Sequence, residues 1–278
     1  LVGKRVLRGV EGIEGGRPGD GCQRDGLGGV EFIHRYTKIK SGSGIGATTA
    51  RLLAERGCRV AILDRNGSAA SAVAASLGEE KALGAAGDVT DPAAVDAILR
   101  TMIARWGGID GLVNNAGTWD HGQLLDLSLE RWRAVFDVNL MAPIAISNAV
   151  VPHLARGSSI VNVSSVLGQV AAPGRGPYCV SKSALITLTK MQAIEWAEKG
   201  IRVNAIAPGY IMNETTRALA ATGSFDPSDI NRRTPLGRFG EEQEVAEGIA
   251  FLLDPHRAAY VTGHVLEVNG GWTAYGFT

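Results

Sequence analysis

The chain carries no surplus of either charge: 28 Lys and Arg stand against 28 Asp and Glu. An electrostatic face for nucleic acid or an anionic membrane is therefore not expected. Cysteines are scarce and odd in number (Cys22, Cys58, Cys179). That excludes a disulfide framework and points to a reducing, cytoplasmic compartment. The histidines at 34, 121, 153, 256 and 264 never fall at ligand spacing, so no metal site is expected. No apolar run reaches the roughly 18 residues of a membrane span. The opening LVGKRVLRGVEG likewise lacks the apolar stretch of a secretory signal.

What is present is a chain of 278 residues, 45% hydrophobic, enough for one sizeable core. Its first 40 residues differ from the rest. Ten of the 37 glycines lie between Gly3 and Gly29, and apolar residues there keep no period of 2 or 3.6. The segment reads as loop, with Lys4–Leu7 and Val30–Tyr36 as short strand candidates. From Gly44 onward, compact apolar runs alternate with helical patterns. Strands are expected at 58–64, 82–91, 108–117, 158–165, 201–209 and 260–271. Helices are expected at 47–56, 66–77, 92–106, 129–155 (disturbed by Pro143 and Pro152), 177–199 and 241–253. Residues 210–235 show no clear period. Such alternation predicts an α/β fold: a single doubly wound, Rossmann-like domain with a parallel sheet and helices on both faces. Ligands of such sheets bind beyond the carboxyl ends of the strands.

Two patterns carry chemistry. Gly44-Ile45-Gly46 before a helix lets a pyrophosphate approach free backbone N–H groups. Asp64 ends the next strand, 18 residues after Gly46. An acid there accepts hydrogen bonds from ribose hydroxyls of NAD and repels a 2′-phosphate, although Arg65 beside it could greet one. The second pattern is Tyr178-Cys179-Val180-Ser181-Lys182, whose Tyr and Lys share a helix face. An ammonium there can lower the phenol from its reference near 10, so that it trades protons with an alcohol or carbonyl. Ser164 and Ser165 end the preceding buried strand. His121 reads as a surface-loop histidine because nothing pairs it, and Cys179 as a small packing residue.

NNAG at 114–117, VNL at 138–140, IVNVSS at 160–165, YCVSK at 178–182 and RVNAIAPG at 202–209 together resemble the short-chain dehydrogenase/reductase family. The resemblance spans about Ser41 to Trp272 and implies a catalytic tetrad. Asn139 would hold the water of a proton relay, and Ser165 would hydrogen-bond the substrate oxygen. Tyr178 would be the general acid/base, and Lys182 would bind the nicotinamide ribose and lower the tyrosine's pKa. It also implies that Ser41, Ser43, Gly44, Ile45, Gly46, Asp64, Asp88, Val89, Asn115, Ala116, Gly117, Pro208, Gly209 and Ile211 border the cofactor. With Asp64 the expected cofactor is NAD rather than NADP. The expected reaction passes a hydride between NAD(H) and a secondary alcohol or ketone. The ending VNGGWTAYGFT resembles members acting on polyols and sugars. The rivals are an NADPH-linked 3-oxoacyl-thioester reductase and a cofactor-impaired homologue. Trp119, His121, Val166, Leu167 and Ala172 are pocket candidates, with packing an equal reading. Family members commonly form tetramers through the helices at 129–155 and 177–199 and the last strand. A homo-oligomer, tetramer or dimer, is therefore expected, with the aromatic tail Trp272, Tyr275 and Phe277 suited to an interface.

One position departs from the family pattern, Thr-Gly-x-x-x-Gly-x-Gly. Its first glycine falls on Lys40. GKRVL at 3–7 resembles the start of the family's first strand, so residues 8–40 stand where three residues would suffice. They are either an insertion that loops out and returns through 36–40, or non-native coding sequence such as a retained in-frame intron. Their low-complexity composition favours the second. The domain reading is an atypical segment 1–40 followed by a dinucleotide-binding catalytic domain 41–278. A side chain at Lys40 crowds a turn suited to glycine. NADH is therefore expected to bind more weakly to this chain than to a version with 8–40 replaced by Val-Thr-Gly, as read by fluorescence titration. Equal affinities would refute the clash.

Overall fold

The structure is a computed structural model that describes residues 35–39, 44–222 and 226–276. Among the described residues the sheet has seven strands, every neighbouring pair parallel: β1 (Arg35–Ile39), β2 (Arg59–Asp64), β3 (Ala82–Ala86), β4 (Ile109–Asn114), β5 (Leu154–Val163), β6 (Arg202–Pro208) and β7 (Val265–Val268). The spatial order is β3-β2-β1-β4-β5-β6-β7. The order reverses between β1 and β4, which opens the crevice where such sheets bind ligands. Register aligns the strand ends around it: Ile39 faces both Leu63 and Asn114, and Asn114 faces Asn162.

Successive strand side chains point to opposite faces, so each strand feeds two cores. Val60, Ile62, Val113, Val161 and Ile206 face one side. They pack there with Leu52 and Leu53 of α1 (Gly44–Glu55), Val73 of α2 (Gly67–Leu77), and Val245 and Ile249 of α9 (Glu242–Leu253). Leu63, Leu112, Ile160 and Val203 face the other. Their partners are Ile98 and Met102 of α3 (Pro92–Trp106), Ile146 and Val150 of α5 (Ala142–Val150), and Ala193 of α6 (Gly176–Glu195). Apolar helix stripes thus cover both faces of the sheet, as parallel strands require.

The structure refines four expectations. The strand beside β2 and β4 is Arg35–Ile39, so the sheet takes in residues ahead of position 41; Lys4–Leu7 and residues 30–34 lie outside the described residues. The expected helix 129–155 divides into α4 (Leu129–Phe136), a π-helical turn (Asp137–Met141), α5 and a 3-10 turn (Val151–His153). Pro143 explains the wide turn. It has no N–H to give the carbonyl of Asn139, and its ring crowds that carbonyl. The N–H of Ala142 reaches back to Asp137 instead. The aperiodic segment 210–235 contains α7 (Glu214–Ala221) and α8 (Pro227–Arg233). Their signals are the N-caps Asn213 and Asp226, whose side chains accept from Thr216 and Ser228 N–H. Lastly, Leu129–His153 passes, by length and mean composition, the test for a helix able to cross a membrane, although no uninterrupted apolar run in it reaches 18 residues. It buries Val135, Asn139, Ile146 and Val150 within the domain.

Candidate active site

The four expected reacting residues come together beyond the carboxyl ends of β4 and β5. Ser165 leaves β5 in extended conformation and caps a 3-10 turn, its hydroxyl accepting from the Leu167 N–H at 3.1 Å. The same hydroxyl hydrogen-bonds the phenol of Tyr178 in the first turn of α6. One turn on, Lys182 is buried. Its ammonium donates to the carbonyl of Val163 at 2.7 Å and lies 5.8 Å from the centre of the Tyr178 ring. Ser164 fixes the same turn by donating to the Lys182 carbonyl at 2.9 Å.

Asn139 sits in the π-helical turn and is fully buried. Its Oδ1 accepts from the Thr118 N–H at 2.8 Å. Its Nδ2 donates to the Thr118 carbonyl at 2.9 Å and to the Ser181 hydroxyl at 3.0 Å. One carboxamide thus ties the turn after β4 to α6. Below it runs a second buried chain. Asn114 donates to Ser147 and to Asn162, and Asn162 donates to Thr189 and Gln192 of α6. These bonds tie β4 and β5 to α6, although the buried Oδ1 of Asn114 accepts none.

Burial pushes the Tyr178 phenol above its ordinary value. The Ser165 hydrogen bond and the Arg175 charge pull it down, while Cys179 and Tyr210 push it up. The net direction is upward, with burial the largest cause. Tyr210, after β6, is also raised by burial. Its ring lies 4.7 Å from that of Trp272 and meets Phe239 edge-on at 6.4 Å. Trp272 in turn lies under Arg233 of α8 at 4.8 Å, so this part of the tail packs within its own chain.

The expected cofactor-side residues line the same edge. Gly44 begins α1 at φ +65°, which a side chain adopts only with strain, and Ile45 and Gly46 follow in the first turn. Asp64 is buried at the end of β2 and accepts from the Asn66 N–H at 2.9 Å. Asp88 and Val89 follow β3; Asp88 accepts from Thr90 and pairs with Arg65 at 3.4 Å. Asn115, Ala116 and Gly117 follow β4. A Cβ on Gly117 would lie 3.5 Å from the Lys182 ammonium and 3.6 Å from Asn139 Oδ1, in ordinary contact with both. Pro208, Gly209 and Ile211 stand at the end of β6, where the Gly209 N–H donates to Val268 and Ile211 bridges Gly240. Lys40, Ser41 and Ser43 lie outside the described residues. What is described is compatible with a dinucleotide: a helix that starts at Gly44, a buried acid at the end of β2 and a glycine beside the Lys182 ammonium.

Of the pocket candidates, Val166 is buried, Trp119 is exposed, and the exposed His121 packs its ring against Gly174. A cavity of about 430 Å³ beside Tyr210, lined by Thr234, Arg238, Glu244 and Asn269, does not include Tyr178. Sequence reasoning missed Thr118 and Ser181 as partners of Asn139, although Ser181 stands inside the YCVSK motif. No group of three or more His, Cys, Asp or Glu suited to a metal occurs among the described residues.

Comparison with known proteins agrees with this geometry. A family model described as enoyl-(acyl carrier protein) reductase matches residues 39–273. The chain is 37% identical over 230 residues to a 3-oxoacyl-[acyl-carrier-protein] reductase of Vibrio cholerae, covering 82% of this chain and 92% of that one. It is 39% identical over 256 residues to the cis-4-hydroxycyclohexanecarboxylate dehydrogenase of Sinomonas cyclohexanicum, covering 88% and 99%. Among solved structures, a short-chain dehydrogenase/reductase of the glucose/ribitol dehydrogenase type from Brucella melitensis superimposes with a TM-score of 0.82 at 30% identity, covering 87% and 98%. The chain belongs to the short-chain dehydrogenase/reductase family. It is an NAD(P)-dependent oxidoreductase acting on CH–OH groups.

Because the Ser165 hydroxyl lowers the phenol, Ser165→Ala is expected to raise it further. The alkaline rise in alcohol oxidation, which needs the phenolate, then moves to higher pH, and kcat falls about a hundredfold. A pH–rate profile checks both; an unmoved profile would show that Ser165 does not act on Tyr178.

Proposed function

We propose that the chain interconverts secondary alcohols and ketones with NAD(H), Tyr178 moving the proton. The observation that carries this reading is Tyr178 hydrogen-bonded to Ser165, with the Lys182 ammonium 5.8 Å from its ring centre and Gly117 beside that ammonium. In the reductive direction a carbonyl oxygen rests against the Ser165 hydroxyl and the Tyr178 phenol. The raised phenol is protonated at neutral pH, so it is ready to donate to the developing alkoxide. Lys182 stabilises the phenolate that remains. The nicotinamide, when bound, exchanges the hydride with the substrate carbon. Reprotonation runs through water held at Asn139. The carboxamide of Asn139 is tied to Thr118 and Ser181, and Pro143 has no N–H to give its main-chain carbonyl.

NAD is favoured over NADP because Asp64 is buried at the ribose position and Arg65 is directed to Asp88. The similarity to the Vibrio cholerae enzyme supports a second reading, reduction of a 3-oxoacyl thioester with NADPH. A third, a cofactor-impaired homologue, rests on Lys40. We further assign a cytoplasmic homo-oligomer, tetramer or dimer, pairing through α4–α5 and α6. Its support is the exposed Met141, Val180, Met191 and Ile194 on those helices.

The test is the ratio of NADH- to NADPH-linked rates over a panel of ketones and one 3-oxoacyl thioester. A ratio above about 10 for a simple ketone is expected, and Asp64→Ser should collapse it. Tyr178→Phe should lower kcat by about 100-fold or more while NADH still binds. Preference for NADPH with the thioester would favour the second reading.

A further inference from the structure

The turn that leads into α6 places a charged group beside the acid/base that the proton transfer does not use. Arg175 lies one turn before Tyr178. Its backbone is fixed on both sides, its N–H donating to Ala172 at 3.2 Å and its carbonyl accepting from Cys179 at 2.9 Å. The turn is also joined to the segment after Thr118, because the Gly122 N–H donates to Gly174 at 3.1 Å and Gly122 bridges Arg175. The guanidinium lies over the exposed Trp119 ring at 4.4 Å. No carboxylate among the described residues pairs with it. The nearest acid on that segment, Asp120, is held in two hydrogen bonds by Arg131. An arginine that only shielded Trp119 would turn its charge to solvent. This one begins the turn of α6 that carries Tyr178, three residues on, and its charge also draws down the phenols of Tyr178 and Tyr210.

We propose that Arg175, held against Trp119 at the mouth of the site, recognises a carboxylate on the substrate, so that the preferred substrates are hydroxy or oxo acids. The inference rests on the ketone/alcohol reading of the same site. A planar guanidinium takes a carboxylate through two parallel hydrogen bonds, which fixes orientation as well as affinity. Stacking on Trp119 holds that fork in place before the ligand arrives. With the acid end anchored at Arg175, the reacting carbon is turned toward Ser165 and Tyr178.

The experiment compares binding of benzoate and benzamide to the full chain by titration calorimetry, with and without NADH. Benzoate is expected to bind about tenfold tighter than benzamide. Arg175→Met and Arg175→Gln should each abolish that preference, and Trp119→Leu should reduce it. Two neutral replacements guard against one that fails to fold. Equal affinity of the two ligands for the unaltered chain, or a preference that survives in either arginine variant, overturns the proposal. Binding does not need turnover, so the two readings fail separately. Absence of ketone reduction beside an Arg175-dependent benzoate preference sinks the proposed function alone. Reduction of neutral ketones without that preference sinks the carboxylate site alone.

Discussion

The site depends on a single buried carboxamide. Asn139 gives its oxygen to one backbone N–H and its nitrogen to the carbonyl of the same residue, Thr118, and to Ser181. Three segments distant in sequence therefore share one rigid group: the turn after β4, the bent helix of α4 and α5, and α6. Such a group is placed with little freedom, since each lost bond would leave a buried polar atom unpaired at a cost of about 1–3 kcal/mol. The π-helical turn that presents Asn139 follows from Pro143, which deprives the carbonyl at 139 of its α-helical donor. A local breach of helix geometry thus sits where the chemistry is, as such turns often do.

The sheet supplies what Asn139 needs. Alternating apolar side chains drive helices onto both faces, and the order reversal between β1 and β4 leaves the strand ends unroofed. The buried line from Asn114 through Asn162 to Thr189 and Gln192 then fixes α6 against β4 and β5. Tyr178 and Lys182 inherit their positions from that packing. Their spacing matters only because α6 is held still, and the phenol's raised pKa reflects how deeply the helix seats it. Arg175 and Trp119, stacked at 4.4 Å, stand on the turn that enters α6 and on the segment after β4, where the proposed carboxylate recognition would act.

Much of this was legible in residues 44–276. The doubly wound fold followed from alternating runs, because strand and helix periods differ and parallel strands need crossovers. The residues gathered around Tyr178 were named by linked motifs. The misses share a cause: each is set by tertiary context. The wide turn at 137–141 depends on where Asn139 must point, and a proline alone does not reveal that. α7 and α8 lack an apolar period because they are short and half exposed, so only the caps at Asn213 and Asp226 marked them. Sequence shows the lysine four residues on but not the burial that is the largest cause of the phenol's upward shift. The strand at Arg35–Ile39 was obscured by reading Lys4–Leu7 as its counterpart.

The most direct measurement of the central claim is amide hydrogen exchange of Asn139→Leu beside the unaltered protein, a comparison that needs neither substrate nor cofactor. If Asn139 holds the turn after β4 and α6 together, exchange at Gly117–Trp119 and in the first turns of α6 should quicken by about tenfold or more. Peptides from β2 and β3 should keep their rates. Unchanged protection at Thr118 would contradict the account and move the source of the site's rigidity elsewhere.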